Sequence, residues 1–441
     1  MMIVSGRKLF NFNILLLMVQ LFFFEVDLTH YLGNLGVVFK LLIVLFSIAV
    51  SVKLNSGLLP KVFLSKVFYL FFAFNLYYSI TFLYSPDRDV NIIQAISRIL
   101  VFFQAFQIAT HVRFTSSVCA MSIAVPTFLV ALTTVFTSIV GYSKPKKKDG
   151  VVFLDSLDRY ESIFSNPNLV TNAVSYFLFF AIAVIVGSQF FKSTRLKSRY
   201  LSQSFLLLML LPVGMYAASL AGGRNGLIGS IFSLSIVGVY SLVRLFKNSR
   251  IVEKFLNFFI SASTLIVNYF LAAMTLFSPY FFLPIVLIAS NYLTFLTRRD
   301  DASGALYDLS TLNSRTLFWP KLISFGEQSL LFGNGLGSAG YFLESLGYPL
   351  GHAHNVLVEV FTNSGLVGLT LFTLANVAVL LSLAHIANKG RSVIDFVPLG
   401  YFVILTVNYI FQSFAFSGGG LTSTFTIFAL LGAYAAKVEA I

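Results

Sequence analysis

Apolar runs of about 20 residues recur along the whole of this 441-residue chain, and no other feature constrains its fold as strongly. A helix of about that length crosses the hydrocarbon core of a bilayer. The runs fall at residues 9–24, 34–52, 64–84, 92–110, 117–141, 169–191, 204–221, 226–243, 256–277, 356–385, 396–413 and 422–437. Composition agrees. Charged residues make up 11%, against about 25% in a soluble domain. Fifty Phe and twenty Tyr against a single Trp suit rings that face lipid or its interface. No soluble module interrupts the runs, so residues 1–441 read as one all-α, polytopic membrane domain of about 12 transmembrane helices. The basic start, through Lys8, and the apolar stretch after it look like a signal peptide. No small-residue cleavage site precedes Glu25, which makes this an uncleaved first span. Cys119, the lone cysteine, lies in an apolar run and cannot form an internal disulfide.

A formal net charge of +13 fits a nucleic-acid partner or basic cytoplasmic loops. In so apolar a chain the second reading applies, because Lys and Arg collect on the cytoplasmic side of spans. With the N-terminus inside, Arg7, Lys8, Lys53 and Lys61 share one face with two clusters, Lys192/Arg195/Lys197/Arg199 and Arg244/Lys247/Arg250/Lys254. Most Asp and Glu fall on the other face. Both termini are then cytoplasmic. Lys144, Lys146, Lys147 and Lys148 run against the rule. A further apolar run, residues 281–295, reads as re-entrant or interfacial, since that keeps Arg224 and the residues after Arg298 on one face. The long loop 297–355 then lies outside, ahead of the third-last span. Loops longer than about 15 residues are usually functional or disordered, and this one has apolar positions enough to fold.

Four places carry polar groups that a plain bundle does not need. Asp158-Arg159-Tyr160 leads to Ser165-Asn166-Pro167-Asn168 at the start of a span; ordinary helix-start residues explain it equally well. Ser219-Leu220-Ala221-Gly222-Gly223-Arg224-Asn225-Gly226 is a minimal hairpin whose arginine, at the mouth of a membrane cavity, calls for an anion. The plainer reading is a snorkelling side chain. Asn313-Ser314-Arg315-Thr316-Leu317-Phe318-Trp319 sets another guanidinium, a fork of donors matched to phosphate oxygens, near the only Trp. Gly351-His352-Ala353-His354-Asn355 enters a span that continues through Glu359. Two histidines alone do not make a zinc site, which needs three or four ligands. A neutral imidazole, with an unperturbed pKa near 6.5, suits a general base. The glycines Gly333, Gly335, Gly337 and Gly340 lack the βαβ context of a nucleotide loop and read as a flexible turn. Asp87 and Asp89 form an acidic pair in an outside loop, most simply a solvated turn.

Taken in order, these pieces resemble the O-antigen polymerase and O-antigen ligase superfamily of bacterial envelope glycosyltransferases. The stretches are 159–168, 219–229, 314–319, then Leu331-Phe332-Gly333-Asn334-Gly335-Leu336-Gly337, and finally His354-Asn355-Val356-Leu357-Val358-Glu359 with Gly365-Leu366-Val367-Gly368. They occupy roughly the C-terminal two thirds; the first five spans match only in hydropathy. The resemblance implies a periplasmic active-site loop, a metal-independent inverting transfer without cofactor, and an undecaprenyl-pyrophosphate-linked glycan donor with a saccharide acceptor. It implies the inner membrane as location, and a chain-length regulator or a flippase as partner. His354 matches the family's proposed general base, with His352 and Asn355 in support. Arg224 and Arg315 match arginines associated with the donor pyrophosphate, and Arg159 is a third contact. Gly223 departs from the family pattern, which commonly has Ser before the hairpin arginine. Polymerase and ligase remain alternatives, polymerase being preferred. Outside the family, Lys40 and Arg98 within spans suit a transporter, though no paired halves are visible, and Asp87 with Asp89 suits a metal-dependent glycosyltransferase.

Overall fold

The computed structural model describes residues 6–26, 28–32, 34–54, 59–141, 163–164, 167–188, 206–207, 209–218, 220, 235, 315–348, 351–390, 393–411 and 422–441. Most of these residues are helical, and among them there is one isolated antiparallel bridge, between Val26 and Phe164. The helices are α1 (Gly6–Glu25), α2 (Leu28–Leu32), α3 (Asn34–Leu54), α4 (Leu59–Val62), α5 (Lys66–Ile80), α6 (Arg88–Ala109), α7 (Ser116–Ile139) and α8 (Pro167–Ser188), then α9 (Arg315–Glu327), α10 (Ser338–Ser345), α11 (Val356–Lys389), α12 (Val397–Phe411) and α13 (Ser423–Glu439). A 3₁₀ turn, Thr81–Tyr84, extends α5.

Among the described residues, six helical stretches are long and apolar enough to cross a membrane: α1, α3, α5 with its 3₁₀ turn, α6, α7 and α11. They coincide with the apolar runs of the sequence. The candidate span 256–277 and the run 281–295 lie outside the described residues, as does 226–243 apart from Ser235. Helix starts follow local chemistry. The side chains of Ser65, Thr115, Asn355 and Thr422 each accept a backbone N–H from the first turn of the helix that follows.

The faces of α6 reveal its solvent. Ile92, Ile96, Ile99 and Phe103, spaced along one helical face, are exposed. Asn91, Ala95, Arg98 and Phe102 on the other face are buried. A helix at a water interface shows the reverse pattern. The exposed Leu42, Phe46 and Val52 of α3, and Leu129, Leu132 and Phe136 of α7, extend the same apolar belt. At the centre stands α13, buried from Ser423 through Lys437. Its Phe428 interlocks with Phe71, Phe102 and Phe372, the Phe71 and Phe428 ring centroids lying 4.5 Å apart.

One helix is broken on purpose of sequence. Gly365 interrupts α11 with φ 64° and ψ −164°, a conformation open essentially to glycine alone. A break at membrane depth exposes backbone groups that hydrocarbon cannot satisfy. Here the loop 330–336 satisfies them. The N–H groups of Asn334 and Gly335 donate to the carbonyls of Thr362 and Asn363, each at 2.9 Å. In return Leu366 and Val367 donate to the carbonyls of Leu330 and Leu331, at 2.9 and 3.1 Å. The glycine run therefore corrects its reading as a flexible turn. Gly333 has φ 74°, and a Cβ there would overlap the Ser364 nitrogen. The glycines are small so that two backbones can touch.

A comparison of two glycines tests this. Gly347 has φ 80° and open space around it, so Gly347→Ala should cost about 1–2 kcal/mol of backbone strain. Gly365→Ala adds a clash with the Leu331 carbonyl, and overpacking costs about 1–3 kcal/mol more. Thermal unfolding in nanodiscs measures both. Equal losses for the two variants would refute a close contact at the break.

Candidate functional site

The break fixes where the loop 315–348 sits, and the loop in turn fixes the histidine segment. Helix α9 packs along the first turns of α11, with Gly326 against Phe361. Its Trp319, 1% exposed, donates from Nε1 to the carbonyl of Ala353 at 2.7 Å. On the other side of the same residue, the Ala353 N–H donates to Oε2 of Glu359 at 2.6 Å. Both peptides that flank Ala353 are thus held. His354 follows with φ 53°, and it is the only non-glycine residue with positive φ among the described residues. The His352 and His354 rings lie side by side, their centroids 4.0 Å apart. Asn355 then starts α11, its Oδ1 accepting from the N–H groups of Leu357 and Val358 at 2.9 and 3.2 Å.

Beneath the histidines runs a buried polar chain. Asn363 donates from Nδ2 to Glu359 Oε1 at 3.3 Å and to the Tyr78 hydroxyl at 2.8 Å. Its Oδ1 accepts from the Ser338 hydroxyl and the Ala339 N–H, both at 3.0 Å. One amide therefore joins α5, α10 and α11. The Arg98 guanidinium lies 4.7 Å from the Tyr78 ring centroid and 4.5 Å from that of Phe425. Arg98 and Glu359 are each 1% exposed and interact as opposite charges. Such stacking is worth about 2 kcal/mol when desolvated.

The sequence candidates divide accordingly. His352, His354 and Asn355 come together at the N-terminus of α11. Arg315 opens α9, one helical turn ahead of Trp319, which binds the peptide next to His354. Arg224 and Arg159 lie outside the described residues, as do the hairpin 221–226 and the lysine cluster 144–148. Asp87 is exposed, and among the described residues no three His, Cys, Asp or Glu gather to hold a metal ion. Lys40 donates to the carbonyl of Phe24 at 3.2 Å. Glu359, Asn363 and Tyr78 were not among the candidates. The signal for Glu359 was a lone carboxylate inside an apolar span; Asn363 and Tyr78 carried none.

Chemically, the arrangement offers two imidazoles at the end of a span, on a backbone that cannot easily turn, above a buried charge pair. No protein-family model and no curated protein matches the chain.

The charge pair makes a stability prediction. Removing one partner of a buried pair leaves the other uncompensated, at a cost of about 3–5 kcal/mol. Arg98→Met should destabilise by that amount, and adding Glu359→Gln should restore part of it. A double-mutant cycle that shows additive losses would sever Arg98 from Glu359.

Proposed function

We propose that this chain is an inner-membrane glycosyltransferase that joins glycan repeat units carried on undecaprenyl pyrophosphate. The observation that carries the reading is the backbone of His354. Residues held in sparsely populated conformations cluster at functional sites, where the surrounding structure over-determines them. His354 has φ 53°, and both peptides of its neighbour Ala353 are held by buried side chains. The ordered likeness of its motifs to O-antigen polymerases and ligases points the same way. In this reading about 12 helices span the membrane, both termini are cytoplasmic, and residues 297–355 are periplasmic.

The chemistry follows from the groups. An acceptor hydroxyl is a poor nucleophile at neutral pH, and His354 takes its proton as the O–H bond breaks. The freed oxygen attacks the anomeric carbon on the side opposite the phosphate. The bond between that carbon and the phosphate oxygen breaks, and undecaprenyl pyrophosphate leaves with the electron pair. One displacement inverts the anomeric centre. Arg224 and Arg315, with Arg159, meet the charge that builds on the leaving group, as preorganised donors do in a water-poor site. Phe-rich spans supply the apolar groove for the polyprenyl tail. No metal or cofactor takes part in this scheme.

A general base contributes about 10²–10⁴-fold to rate, so His354→Ala should lower glycan transfer by that factor at unchanged protein level. Gel analysis of envelope glycans in a deletion strain complemented with the variant reads it out. Single repeats on the core are the expected pattern. A normal ladder removes His354 from the mechanism, and bare core with lipid-linked polymer retained would make the enzyme a ligase.

A further inference from the structure

We infer that Glu359 is a positioning residue which, together with Trp319, clamps the peptides on either side of Ala353 and so holds His354 in its left-handed conformation. The inference rests on the reading of His354 as the base. It goes beyond that reading by assigning a role to residues that need never touch substrate.

The geometry is specific. Glu359 lies one turn below the start of α11 and reaches back to the Ala353 N–H, not to the N–H groups of its own helix end. Asn355 already caps those. A carboxylate near a helix N-terminus is favoured by the helix dipole, but that preference alone explains neither its burial nor its aim. Asn363 steers the second oxygen, and Arg98 supplies opposite charge from α6. Trp319 completes the grip from α9. A peptide held at both its flanks cannot rotate without breaking a bond to a buried side chain. The αL conformation of a non-glycine residue is uphill by about 1–2 kcal/mol, so a free segment would relax out of it. The imidazole would then swing away from the acceptor oxygen. Misplacement of a reacting group by about 1 Å can cost 10²-fold in rate.

The experiment uses the full chain in nanodiscs and in the deletion strain. Glu359→Ala removes the acceptor, whereas Glu359→Gln keeps an oxygen for the Ala353 N–H and loses the charge and the acceptor that meets Asn363. Amide hydrogen exchange of residues 351–355 reads the clamp without any substrate. Glu359→Ala should exchange there at least tenfold faster than the parent and lose about 100-fold in polymer formation. Glu359→Gln should restore part of the protection and of the ladder. Parental exchange and a parental ladder in Glu359→Ala overturn the inference. So does a Gln variant as unprotected as the Ala variant. Should Glu359→Ala not fold, Trp319→Phe cuts the other side of the clamp and decides by the same exchange measurement, faster exchange supporting the inference and parental exchange overturning it. If His354→Ala transfers glycan normally, the catalytic reading falls, and the exchange rates still decide whether the clamp exists.

Discussion

A helix cannot be broken within a bilayer unless something else takes up its freed hydrogen bonds, because each unsatisfied backbone group costs several kcal/mol in hydrocarbon. The break at Gly365 meets that condition through a single exchange, in which the loop 330–336 gives two N–H groups and receives two. This exchange places the elements around it. Tyr77 donates to the carbonyl of Ser364 at 3.1 Å, Tyr84 to that of Phe332 at 2.9 Å, and Ser85 to that of Leu336 at 2.6 Å. The end of α5 is thereby sewn to the same loop. Once the loop is fixed, α9 and α10 on either side of it have little choice of position, and Trp319 arrives at Ala353.

Side chains repeat this logic one layer away. Asn363 makes four hydrogen bonds to four residues on three elements, Tyr78 of α5, Ser338 and Ala339 at the start of α10, and Glu359 of its own helix. A buried amide so fully used is satisfied in one arrangement only, and partial satisfaction is costly at low dielectric. The polar interior near α11 therefore acts as a template. The aromatic packing around α13 fills the core, yet rings of similar shape can slide past one another, and amides cannot.

The spans were legible because the length of an apolar run is a local property. The run 34–52 became Asn34–Leu54, and 117–141 became Ser116–Ile139. The site was legible where polar residues crowd a helix start, hence His352, His354 and Asn355. What could not be read was anything settled by distant partners. The run 356–385 shows no interruption in hydropathy, since Gly365 is broken by a loop some 30 residues earlier in the chain. The glycines of that loop announced conformational freedom, and their partners turned the freedom into close contact. Arg98 was visible as a charge within a span, but that it faces Tyr78, Phe425 and Glu359 depends on three other helices.

Burying opposite charges is a poor way to gain stability, since well-packed apolar residues of similar volume often do as well or better. Arg98 and Glu359 make more sense through what they forbid. A charged side chain facing the middle of a bilayer costs about 2.5–3.5 kcal/mol on insertion scales. If α11 turned by a fraction of a revolution against α5 and α6, Glu359 would leave Arg98 and Asn363 for rings or lipid. The same turn would break the Ala353 contact and the exchange at Gly365 together. Alternative packings of α11 that hydrophobic contact alone would tolerate are thus raised in energy. Arg98 and Glu359 protect the register of the helix that follows the histidine segment, and the precision of that segment is inherited from the register.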